Sequence, residues 1–130
     1  MKPQQTTAQS EYLSLASVFV KPVENAFVNA ATLASSWKDL NYLGKPNFEV
    51  AVEQYRKFRG MLEAAGAEVL PMPRSEGLSP DSLYCRDAAV ATDQGMVLCR
   101  MGKPARREEP EAHRAVYDSM GVPVLGRIEA

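Results

Sequence analysis

Apolar positions along this chain fall into two rhythms: short continuous runs, and longer stretches where they return every three or four residues. Leu15 to Lys21 (LASVFVK) is the first compact run, apolar and β-branched, and predicts a buried strand. Residues 22–45 carry Pro, Asn, Ser and Gly with weak periodicity, which predicts a long connection of the kind that often serves as a lid. Phe48, Val52, Tyr55, Phe58 and Leu62 then make one apolar stripe, predicting a helix opened by Pro46 at its first position and ended by Gly66. Ala67–Pro71 predicts a short strand, and residues 72–82 a loop. Leu83–Thr92 and Met96–Met101 predict two strands joined at Asp93-Gln94-Gly95, where Gly95 supplies a positive φ. Pro104–Met120 predicts a second helix, with Pro110 in its first turn or interrupting it. Gly121 closes that helix, and Val122–Leu125 is a last strand. The polar opening MKPQQTTAQSEY predicts a disordered tail over 1–12, ahead of a domain over 13–130.

The pattern repeats. MLEAAGAEVLP and VYDSMGVPVLG both run from a helix end through glycine into a strand, pairing Gly66 with Gly121 and Leu70 with Leu125 at a constant 55 residues. Any two helix–glycine–strand corners look alike, so a true repeat and a coincidence stand level on this signal. If the repeat is real, two strand–helix–strand units do not close a ring.

Composition narrows the classes. A chain of 130 residues with 45% hydrophobic and 24% charged residues has an ordinary globular make-up. A formal net charge of -1 argues against a nucleic-acid surface. No apolar run approaches the roughly eighteen residues of a membrane span, and the start lacks the apolar core of a signal peptide. Cys85 and Cys99 offer neither a disulfide framework nor metal-ligand spacing, so reduced thiols in a cytoplasm are expected, with no metal and no organic cofactor.

The chemistry-bearing stretch is PDSLYCRDAAVATDQGMVLCRMGKPARREEPEAH. Asp81 and Asp87 lie six residues apart. A guanidinium, a planar cation rich in N–H donors, finds its natural partner in a carboxylate. Two solvated acids are the alternative. Arg106-Arg107 opens the second helix, where the helix dipole disfavours a cation. The pair either binds a substrate carboxylate or answers Glu108 and Glu109.

PDSLYCRDAAV, the TDQG turn, RMGKPARREEPEA and the earlier LGKPNFEVAVEQY together resemble the amidinotransferase superfamily, which includes dimethylargininases and arginine deiminases. The resemblance runs from about Phe19 to the end of the chain and covers roughly the N-terminal half of a full-length member. It implies an α/β fold, a five-bladed α/β propeller of ββαβ repeats, of which about two are present. It also implies roles. Asp87 corresponds to the carboxylate that grips the substrate guanidinium, Asp81 to an acid near the other end of the bound amino acid, and Arg106 to an arginine at the substrate's carboxylate. Residues 29–43 correspond to the mobile loop over the channel, with Trp37 and Leu40 as shielding candidates and core packing or an oligomer contact as the alternative. Arg86 departs from dimethylargininases that carry an acid there and matches arginine deiminases. It reads a substrate carboxylate or pairs with a neighbouring acid.

In that superfamily a cysteine thiolate attacks the guanidinium carbon and a histidine moves protons. The resemblance places both in the second half of the fold, and the Glu-Gly-Gly-Asp block expected shortly after Gly126 is absent. The local substitutes are weak. Cys85 would share a strand face with Asp87 but falls at an aliphatic position of the family. Cys99 reads as core, and His113 sits on what reads as a solvated helix face. The expectation is therefore an N-terminal fragment with half of a guanidino-compound site and no turnover, hydrolysis being the parent chemistry and amidino transfer the runner-up. The other expectations are a non-catalytic arginine-binding module and a protein whose open strand edges are covered by self-association.

Overall fold

The computed structural model describes residues 9, 10 and 12–129. The predicted tail therefore falls mostly outside the described residues. Two compact units make up the described residues: Ser14–Cys85, and Arg86–Glu129 together with Gln9, Ser10, Tyr12 and Leu13.

In the Ser14–Cys85 unit, β1 (Ser17–Val20) pairs in parallel with β2 (Glu68–Pro71), in the register Val18 to Val69 and Phe19 to Leu70. Between them run α1 (Val23–Ala26), α2 (Ala30–Ser36) and α3 (Phe48–Ala64). The expected unstructured connection over 22–45 is thus corrected: it holds two helices. Asn29 caps α2 by accepting the Thr32 N–H at 2.9 Å, and the weak periodicity hides a helix of only seven residues. Asn47 caps α3 in the same way, accepting from Val50 N–H, so the helix starts at Phe48 and Pro46 lies before the cap. Val23, Ala26, Phe27, Leu33 and Val52 form the core of this unit, with Phe48, Ala51, Tyr55 and Leu83 against it. Gly66, at φ 90°, turns the chain from α3 into β2.

In the other unit, β3 (Ala89–Thr92) is antiparallel to β4 (Gly95–Leu98), and β4 is parallel to β5 (Val124–Arg127), with α4 (Glu109–Met120) crossing between the last two. That is one ββαβ repeat, the unit the resemblance implies. Gly95 is indispensable to it. Its φ is 148°, and a Cβ there would stand 2.5 Å from the carbonyl oxygen of Pro123, which accepts the Met96 N–H at 2.8 Å. Gly121 closes α4 in the left-handed region, as expected. Pro110 lies in the first turn of α4, the first of the two expected placements. The last strand starts two residues later than predicted.

The predicted strand over Leu83–Thr92 needs a larger correction. Its first half holds only the last residue of one short 3-10 helix, Pro80–Leu83, and all of a second, Cys85–Ala88, and only Ala89–Thr92 is strand. Cys85 and Asp87 therefore do not share a strand face. The helix–glycine–strand echo is real in form: α3–Gly66–β2 and α4–Gly121–β5 each lead into a strand parallel to the one before the helix.

Candidate functional site

The site grows from three short elements of the second unit. The 3-10 turn Cys85–Ala88 presents Asp87 immediately before β3. A second 3-10 turn, Pro104–Arg106, is started by a proline whose missing N–H costs nothing at that position, and it closes with Arg106 N–H donating to Lys103 O at 2.9 Å. Glu109 is the first residue of α4, three positions on, where its negative charge suits the helix N-terminus.

These three side chains meet. Arg106 donates Nε–H to Glu109 Oε2 and Nη2–H to Glu109 Oε1, both at 2.8 Å, a two-point fork between planar groups. Its Nη1–H donates to Asp87 Oδ2 at 2.8 Å. Exposure falls steeply across the cluster: the Asp87 side chain is 52% exposed, Arg106 11% and Glu109 0%. A carboxylate so completely buried is tolerable only when paired and hydrogen-bonded, and Arg106 satisfies it at both oxygens. The hydrogen bonding of Arg106 to Glu109 is the main reason the Arg106 proton is held more tightly than usual. Burial opposes this, and the Asp87 bond adds to it. Two carboxylates share one guanidinium, so the cluster carries one uncompensated negative charge, at its solvent end.

The buried face of α4 continues the polar run. His113 is buried, with Nδ1 3.2 Å from the Tyr117 hydroxyl and the two rings edge to face. This corrects the expectation of a solvated histidine. Glu109, His113 and Tyr117 recur every four residues and form the inner face of the helix, while Glu108, Glu111 and Arg114 take the outer one. The i, i+4, i+8 spacing is the signal the sequence offers, but its residues are polar and read as a solvent face.

The remaining candidates lie as follows. Arg86 is exposed, in the same turn as Asp87. Asp81 belongs to the Ser14–Cys85 unit, where it is buried on the Pro80–Leu83 turn and its carbonyl accepts from Tyr84 N–H at 3.0 Å. The neighbouring Ser79 and Ser82 hydroxyls are buried without a hydrogen-bond partner. Leu40 is buried within its unit, which favours packing for that residue, whereas Trp37 is half-buried with the Lys38 ammonium 5.4 Å from its ring centre. Cys85 is half-buried, with Sγ 3.9 Å from Phe19 O. Arg107 is exposed, unlike its neighbour Arg106. Among the described residues no group of three or more His, Cys, Asp or Glu is placed to hold a metal ion, and no helix is long and apolar enough to cross a membrane.

No protein-family model matches the sequence. A curated relative does: the dimethylarginine dimethylaminohydrolase of Pseudomonas aeruginosa, 28% identical over 90 residues. The aligned stretch is 69% of this chain and 35% of that enzyme. A solved structure of that enzyme, a mutant complexed with citrulline, superposes with a TM-score of 0.69 at 24% identity over 91% of this chain and 43% of its own. The chain is related to the amidinotransferase–dimethylargininase superfamily. The N-terminal domain of a cyanobacterial arginine dihydrolase, bound to its substrate, is similar too, with a TM-score of 0.66, 21% identity, and cover of 85% of this chain and 39% of that one. These likenesses establish the partial α/β propeller of that superfamily. The chain spans under half the length of the relatives it matches, a share that fits an N-terminal half.

Proposed function

We propose that this chain carries one wall of the substrate cleft of an arginine-type guanidine-modifying enzyme, with Asp87 as the carboxylate that receives the guanidinium. The observation that carries the reading is the Asp87–Arg106–Glu109 cluster. Asp87 is anchored from behind by Nη1 of Arg106, yet half of its side chain stays open to solvent. An anchored, half-open carboxylate whose arginine is already neutralised by Glu109 suits a flat organic cation.

The full reaction proposed for the parent enzyme is attack by a cysteine thiolate on the guanidino carbon. A covalent amidino-enzyme follows and is released to water, with amidino transfer to an amine as the second outcome. This chain would contribute substrate binding only. Neither its half-buried Cys85 nor its buried, tyrosine-bonded His113 is set up as nucleophile or base. Arg86, exposed in the same turn as Asp87, is assigned to the amino-acid end of the substrate. Arg106 is read as the anchor of Asp87 in addition to the carboxylate-end role that the superfamily suggests.

The test is ligand titration of the 130-residue chain, followed by nuclear magnetic resonance, with L-arginine, dimethylarginine and the neutral urea citrulline. Arginine or dimethylarginine should bind more tightly than citrulline, and Asp87→Asn should weaken the cationic ligands by about tenfold to a hundredfold, the worth of a charge-assisted hydrogen bond. Equal binding of cation and urea, or an Asp87→Asn protein that binds as well as the original, would sink the proposal.

A further inference from the structure

We infer that Glu109, which no ligand can touch, is the positioning residue that keeps Asp87 available to a cation. The inference rests on the assignment of Asp87 above and names what sustains it. A guanidinium offers its N–H donors along separate edges. Glu109 takes the Nε–Nη2 edge of Arg106 with both of its oxygens, at 2.8 Å each. Arg106 then meets Asp87 through Nη1 alone, at one oxygen, Oδ2. Glu109 is wholly buried, so the fork is fixed by packing and its charge is shielded from solvent.

Remove the Glu109 charge and two things change together. The two-point fork on Nε and Nη2 is lost, since an amide keeps only one acceptor oxygen, and Asp87 is a carboxylate that Arg106 already reaches. Arg106 would then claim Asp87 with two donors instead of one. The charge count also changes. With Glu109 the cluster holds two negative charges and one positive, and an arriving guanidinium brings it to neutrality. Without Glu109, Asp87 and Arg106 cancel, and an arriving cation meets no net attraction. Glu109 thus acts through Arg106 on Asp87, without contact to the ligand.

The sensitive readout is the preference for arginine over citrulline, because the two differ in charge far more than in shape. Glu109→Gln should reduce that preference by about tenfold, the scale of one unit charge a few ångströms from a half-exposed site. A merely structural glutamate would lower the binding of both ligands in proportion to the protein unfolded and leave their ratio alone. The double variant Arg106→Gln/Glu109→Gln restores the net charge of the cluster to that of Asp87 alone, and the preference for arginine should return. A Glu109→Gln protein that keeps its preference, or a double variant that fails to recover it, overturns the inference. If Glu109→Gln does not fold, Glu109→Asp takes its place, being one methylene too short to hold Arg106 at both points; it should also lower the preference for arginine, and a preference unchanged from the original chain overturns the inference. An original chain that does not distinguish the two ligands removes the Asp87 assignment itself, a result distinct from failure at Glu109.

Discussion

Helices α3 and α4 each lie between two strands that pair in parallel, yet they bury opposite chemistry. The inner face of α3 is apolar, with Val52 buried among Val23, Phe27 and Leu33. The inner face of α4 is polar, burying Glu109, His113 and Tyr117 beside Pro110. The helix that reads as the stronger amphipath leaves Phe58 51% and Met61 71% exposed, whereas the helix that reads as a charged surface buries a carboxylate completely. An apolar stripe needs only a partner surface, since the hydrophobic effect has no direction. A polar stripe has to find its partners atom by atom, and Arg106 supplies them for Glu109.

The sharpest way to break this comparison is to unpair the α4 cluster. Arg106→Met leaves Glu109 buried without its fork and should cost about 3–5 kcal/mol. Arg106→Met/Glu109→Met removes both charges and should recover most of that loss, since the cost comes from the orphaned ion more than from the missing pair. Urea unfolding of the single and double variants measures both. Simple addition of two large losses would mean that the cluster is not a coupled unit.

The next effect belongs to the apolar side. Leu33 has no exposed surface and packs in the α3 core, so Leu33→Ala should cost about 3 kcal/mol through lost transfer energy and the cavity left behind. Unlike the α4 cluster, no second substitution on a charged partner should rescue it. A loss well below 1 kcal/mol in the same urea experiment would show that the site collapses freely and that the core around α1 and α2 is not close-packed.

Where periodicity and turn chemistry agreed, the sequence was readable. The α3 stripe, the β3–β4 hairpin with its Gly95 corner, the glycine that ends each long helix and the strands beyond them were all legible. The short elements were not. Helix α2 carries too few residues to show a period, and its signal was the Asn29 cap. The 3-10 turns flanking Tyr84 looked like strand because Leu83, Tyr84 and Cys85 are apolar, and no rhythm distinguishes a turn of three or four residues from a strand start. For the site, Asp87 and Arg106 were singled out by resemblance, and Glu109 only as an alternative answer to the arginine pair. Their meeting was illegible because it depends on Arg106 turning inward while Arg107 stays out, a choice made by the Pro104–Arg106 turn rather than by residue type.

The smallest expected effect tests the edge of the apolar face. Phe58 belongs to the α3 stripe by spacing, but at about 100° per residue it stands roughly 120° around the helix from Val52. Phe48 and Tyr55 lie nearer the centre of the face and pack against the core, while Phe58 falls at its margin with half of its surface in water. Phe58→Ser should therefore change the stability of the chain by no more than about 0.5 kcal/mol, as for ordinary surface positions. The urea midpoint should stay close to that of the unsubstituted protein, in contrast to Leu33→Ala one layer further in. A loss as large as that of Leu33→Ala would mean that Phe58 is covered in solution by something beyond the residues of its own unit. The apolar face of α3 would then be wider than its core, and the contrast with α4 would become one of partners rather than of chemistry.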